Sequence, residues 1–204
     1  MRNVLLCALA LGLLIGPAWA EESAGRSELS DAQAAPKTTA PEITAPETLD
    51  SLFLELKRTP NEEAAARVAA RIQRNWATSG SRSIDLLMQW ASAAMQAKKF
   101  DVALDLLDQV VTLSPDFAEG WNRRATLHFM MSNYAKSMSD IDRTLRLEPR
   151  HFGALAGMAQ ILERSGRKER ALQAYERVLD VYPMMRSAQE QVGTLADELA
   201  GEGI

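Results

Sequence analysis

Three prolines, Pro115, Pro149 and Pro183, fall 34 residues apart, and that interval constrains the chain more than any other feature. Other columns keep the same phase. Ala91, Ala125 and Ala159 form one; Leu87, Trp121 and Leu155 form another. Ala103, Ser137 and Ala171 are all small, whereas Leu107, Ile141 and Tyr175 are all large. Leu113, Leu147 and Val181 each precede a proline by two residues. Agreement over three consecutive units marks a repeat array, in which each unit buries its apolar face against its neighbours.

The period inside a unit is helical. Leu86, Leu87, Trp90 and Ala94 recur at the spacing of one helix, Lys98-Lys99 makes a turn, and Phe100, Ala103, Leu104, Leu107, Val110 and Val111 trace a second helix. Pro115 stops that helix, having no N–H and clashing with the preceding turn. Asp116 with Glu119 reads as a capping box opening the next one. The Ala91 column needs short side chains because paired helices cross there. Trp90 and Trp121 are expected to fill space within the stack, and His128 to pack.

Counted from Ile84, Ala118 and Phe152, these units resemble the tetratricopeptide repeat. The bulky fourth positions are Leu87, Trp121 and Leu155, and the aromatic seventeenth positions are Phe100 and Tyr134, with Lys168 a departure. Gly166 supplies the family's turn glycine in the third unit only; Lys98 and Ser132 replace it in the others. The resemblance implies an all-α, right-handed superhelical stack of antiparallel helix pairs, about nine helices in all. Its repeats cover 84–117, 118–151 and 152–183.

Both flanks look helical. Over 48–80, Leu49, Leu52, Phe53 and Leu56 precede a Pro60-Asn61 turn, and Ala65, Val68, Ile72 and Trp76 follow it, with Gly80 as terminator. In the repeat register this hairpin keeps a small Ala69 but puts Lys57 and Trp76 where small residues belong, so it reads as a degenerate cap of the stack. Residues 184–204 carry the stripe Met185, Ala188, Val192, Leu195 and Leu199, expected to seal the third repeat as a capping helix and tail.

The first twenty residues have the pattern of a secretory signal: Arg2, an apolar run from Val4 to Ile15, a break at Pro17, and Ala18-Trp19-Ala20. Cleavage after Ala20 would leave Glu21 first and place the chain in the periplasm. Cys7 is the single cysteine, so the mature chain would hold no thiol. Residues 21–47, rich in Ala, Pro, Thr and Ser, read as a disordered linker.

A net charge of −4, from 23 basic and 27 acidic residues, supplies no field for nucleic acid. His128 and His151 are too far apart for a local metal motif, and neither a phosphate loop nor an acid–base constellation occurs. No cofactor, metal or enzyme activity is expected, nor membrane insertion after cleavage.

The resemblance implies that the first helix of each unit lines a concave face. Candidate groove residues are Asp85, Met88, Ser92, Glu119, Asn122, Thr126 and Gln160. The family's carboxylate clamp is missing: Met88, Ser92, Arg123, Gly153 and Gly157 stand at its positions. Adjacent Arg123 and Arg124 point about 100° apart on a helix, so one is expected to meet a groove acid and the other solvent; Arg124 occupies a position usually apolar in the family. The expected function is a non-catalytic periplasmic scaffold binding a peptide or protein segment on its concave face. The alternative is an accessory or regulatory subunit of an envelope enzyme or a secretion or assembly complex. Self-association stays open.

Overall fold

The computed structural model describes residues 48–201. The expected signal segment over 1–20, the expected linker over 21–47 and residues 202–204 lie outside them. The described residues belong to one compact unit. In chain order their helices are α1 (Leu49–Arg58), α2 (Glu62–Trp76), α3 (Arg82–Gln96), α4 (Phe100–Leu113), α5 (Ala118–Met130), α6 (Tyr134–Leu147), α7 (Phe152–Arg164), α8 (Lys168–Val181) and α9 (Arg186–Gly201). No strand occurs among the described residues. Pairs α3–α4, α5–α6 and α7–α8 are the three repeats.

Side-chain caps open α1, α2 and α7. The Thr48 hydroxyl accepts from Ser51 N at 3.2 Å while Ser51 Oγ accepts from Thr48 N at 3.1 Å, a reciprocal cap of α1. Asn61 Oδ1 caps α2 by accepting from Ala64 N at 2.9 Å. The box expected from Asp116 and Glu119 does not form. Phe117 is the N-cap of α5 and makes no side-chain cap bond, Asp116 turns to Arg143, and Glu119 is drawn into buried contacts. The three intra-repeat turns share one conformation: Lys98, Ser132 and Gly166 have φ of 56°, 59° and 70°. The left-handed turn is therefore kept where glycine is not, at a steric cost the flanking helices must offset.

The small columns lie where helices meet. Ala91, Ala103, Ala159 and Ala171 are fully buried, and Ser137 donates to the Ala125 carbonyl at 2.8 Å. Between the first two units a side chain packs directly on the α5 backbone: a Cβ on Gly120 would lie 2.8 Å from Val110 Cγ1. At the far end α9 turns Ala188 and Leu195 into the core, with Met185 and Val192 packed against it. This is the sealing expected of that stripe.

The α1–α2 hairpin is helical as expected, but it does not stack on α3–α4. It docks on the third unit. Trp76 lies flat on His151, with ring centroids 4.0 Å apart, and meets Phe152 at 4.9 Å. Arg150 pairs with Asp50 at 2.7 Å and its guanidinium lies 4.2 Å from the Phe53 ring centre. Leu52, Leu56, Val68 and Ile72 join one buried cluster with Leu155, Val178 and Leu195. Burying apolar side chains of this size contributes about 1.5–3 kcal/mol each, which holds the hairpin where it is.

Two expectations fail. Leu86 and Trp90, assigned to the interior, are 42% and 53% exposed. Trp121 is half-buried rather than a core filler. Its Nε1 donates to the Pro115 carbonyl at 2.9 Å, and the Arg124 guanidinium covers its ring at 4.8 Å.

Candidate functional site

The first helices of the three units, α3, α5 and α7, line a run of adjoining depressions. The first, of about 470 Å³, is lined by Asp85, Met88, Ser92 and Arg123. The second, of about 570 Å³, also contains Arg123 and adds Glu119, Asn122, Thr126, His151 and Gly153. The third, of about 170 Å³, shares Asn122, Thr126 and Gly153 and adds Gly157 and Gln160. Gln160 then lines a fourth beside Met185 and, on α9, Gln191. All seven expected groove residues line this channel, although two are more deeply seated than expected. Met88 is buried in the core of the first unit and offers only an edge. Glu119 is buried too.

The α2 helix supplies a wall that the repeat register did not predict. Ala70, Gln73, Arg74, Trp76 and Ala77 close one side of the second depression. The clue was Trp76 itself, a large residue at a position where stacking demands a small one.

Glu119 organises the floor. His151 Nδ1 accepts from Ala154 N at 3.1 Å and so caps α7. That ring nitrogen must carry the lone pair, so the proton sits on Nε2, which donates to Glu119 Oε2 at 3.1 Å. Arg123 donates to Glu119 Oε1 at 2.7 Å and Asn122 to Oε2 at 2.9 Å. Burial pushes the Glu119 carboxyl up, but the His151 hydrogen bond, the Arg123 charge and the Asn122 amide outweigh it, and its pKa ends below the ordinary 4.5. Asp85 is also held down, by the Ser79 hydroxyl at 2.6 Å and the Ser79 N–H at 2.9 Å. Its role is to fix the loop entering α3.

Two donors in the second depression lack partners. Arg123 Nε and Trp76 Nε1 are buried and make no hydrogen bond. Both atoms are closed off and Arg123 is paired with Glu119, so the accessible charge on this wall is that of exposed Arg74, which suits a carboxylate. Among the described residues no group of three or more His, Cys, Asp or Glu side chains could hold a metal ion.

The adjacent arginines divide as their angular separation requires, but only half as expected. Arg123 meets the groove acid. Arg124 does not face solvent: it forks onto Asp140 with two bonds of 2.8 Å and reaches Asp108 on α4 at 2.7 Å. His128 lies buried beside this pair, Nε2 3.9 Å from Asp140 Oδ2 and Nδ1 without a partner. Desolvation, only partly countered by Asp140, holds its pKa below 6.5.

The tetratricopeptide repeat model matches residues 88–143 and 131–185. A TPR repeat-containing protein of Rhizobium etli is 50% identical over 185 residues, spanning 91% of this chain and 86% of that protein.

The chain belongs to the tetratricopeptide repeat family.

Solved tetratricopeptide structures share its fold. The first tetratricopeptide domain of Spaghetti (RPAP3), bound to the HSP90 peptide SRMEEVD, superposes with a TM-score of 0.56 at 22% identity, over 59% of this chain and 95% of that one. MamA superposes with a TM-score of 0.53 at 15% identity, over 73% of this chain and 81% of that one.

Proposed function

We propose that this tetratricopeptide repeat protein holds a segment of another protein in the channel along α3, α5 and α7, and that it catalyses nothing itself. The observation that carries the reading is the continuity of the channel. Neighbouring depressions share Arg123, then Asn122, Thr126 and Gly153, then Gln160. An extended chain rising about 3.3 Å per residue could therefore meet all three units in succession. Gly153 and Gly157 keep the floor open, and exposed Arg74 favours a segment bearing a carboxylate at its middle. The peptide held by the Spaghetti domain is acidic. The residue set differs here, because part of the recognition surface comes from α2.

The decisive comparison is Thr126→Arg against Asp142→Arg. Thr126 is exposed in the channel and Asp142 is exposed on α6. Once a partner is purified, Thr126→Arg should weaken its binding at least about tenfold, because it fills the channel and adds a charge that must be desolvated. Asp142→Arg should not. Equal binding by both variants would contradict the reading.

Export to the periplasm belongs to the same proposal. It is supported by Arg2, the apolar run and Ala18-Trp19-Ala20. Sequencing the N-terminus of the native protein should return Glu21; a chain retaining Met1 would contradict it.

A further inference from the structure

The three units can be compared position by position, and one face of the first unit is bare. The third, sixth, seventh and tenth residues of each repeat are Leu86, Gln89, Trp90 and Ala93 in the first, and all four are exposed, Gln89 and Ala93 where this face borders the first depression. Their counterparts in α5 and α7 are covered by the preceding unit. Gly120 presses on Val110 of α4, Arg124 reaches Asp108 of α4, and Leu127 is fully buried in the first unit's core. In α7, Ala154 and Ile161 are buried in a cluster with Ile141 of α6. The hairpin that precedes α3 in sequence would cover this face in a regular array, but it is docked on the third unit. Val102, 45% exposed, and half-buried Leu106 extend the patch along α4.

We infer that a second copy of this chain covers this face, head to head about a two-fold axis. At the chain's own two internal junctions this register is covered by another helix pair of the same kind, largely through apolar side chains: Leu127 with Val110 at the first and Ile161 with Ile141 at the second. Head-to-tail growth would need a complementary surface at the other end, and none is offered there. The outer side of α9 presents Glu190, Thr194, Asp197 and Glu198, all exposed. The same face of another copy offers the apolar match that α9 does not, which gives a closed, isologous pair rather than a filament. The unit-1 residues fit this use. At the seventh, eleventh and twenty-third positions, Arg124, His128 and Asp140 make a polar cluster in the second unit, whereas the first has Trp90, Ala94 and Leu106. Exposed apolar patches of this kind mark association surfaces.

The inference does not depend on what the channel binds, and its test leaves the channel untouched. Sedimentation equilibrium of the purified chain at micromolar concentration should give a dimer. Leu86→Glu and Trp90→Glu should each weaken it at least about tenfold, with helical circular dichroism retained, since both side chains are exposed. In a Cys7→Ser background, Val102→Cys should oxidise to a covalent dimer and Asp197→Cys on α9 should not. A chain that stays monomeric throughout that range, a dimer indifferent to both glutamates, or cross-linking through Asp197→Cys alone would overturn it.

Discussion

Trp76 and His151 stack face to face, 4.0 Å between centroids and 10° between planes, and through this contact the N-terminal hairpin is fastened to the third repeat. The same His151 caps α7 and donates to Glu119, so hairpin, helix start and channel floor are set by one ring.

Removing that fastening should be costly. Trp76→Ala is expected to destabilise the protein by about 3–5 kcal/mol, the usual cost of deleting a buried tryptophan side chain. Urea denaturation measures it. Limited proteolysis should also cut more readily between α2 and α3, at Ser79-Gly80, as the hairpin loosens.

The Arg124–Asp140 fork gives an asymmetric mutant cycle. Arg124→Met strands a buried carboxylate and should cost about 3 kcal/mol. Asp140→Ala leaves Arg124 its bond to Asp108 and should cost less, about 1–2 kcal/mol. The third unit has Met158 and Ala174 at these positions. The double variant should therefore be more stable than Arg124→Met alone. Denaturant melts of the four proteins test the sign of the coupling.

His128 should contribute an acid-labile increment. Its folded pKa lies below 6.5, so the unfolded chain binds its proton first as pH falls. The stability it confers is complete above 6.5 and is lost as pH drops through the folded value. His128→Leu, which copies Leu162 of the third unit, should flatten the stability profile just below pH 6.5. The loss tied to Glu119 should appear only at more acidic pH, below 4.5, where its depressed carboxyl finally protonates. Thermal melts of both proteins across this range measure the difference.

The turn residues make a small stabilising prediction. Lys98 sits at φ 56° where the third unit has glycine. Lys98→Gly should stabilise by about 0.5 kcal/mol, relief of left-handed strain outweighing the added backbone entropy of the unfolded chain. Gly166→Ala should cost about 1 kcal/mol for the opposite reason. Melting temperatures of the two variants decide it.

The repeats were legible in the sequence because each position recurs: Ala91, Ala125 and Ala159 are informative together in a way no single alanine is. The channel followed from the register, and its expected residues do line one surface. The docking of the hairpin was not legible. Asp50 and Arg150 are a hundred residues apart, and no local pattern reports such a contact. What the sequence did carry was a mismatch, Trp76 in a small-residue column. Arg124 was a second mismatch, at a position usually apolar in the family, and it proved to be half of a partly buried ion pair. The buried role of Glu119 was hidden because one of its partners, His151, comes from the start of the next repeat, 32 residues on; Arg123 is only its local i+4 neighbour.

The central claim is that the partner lies along the first helices. A photo-reactive amino acid placed at Thr126 or Gln160 in the channel, and at Asp142 on α6 as control, tests it most directly. The expected result is cross-linking of one and the same partner from Thr126 and Gln160, with none from Asp142. Cross-linking from Asp142 with none from either channel position would contradict the account.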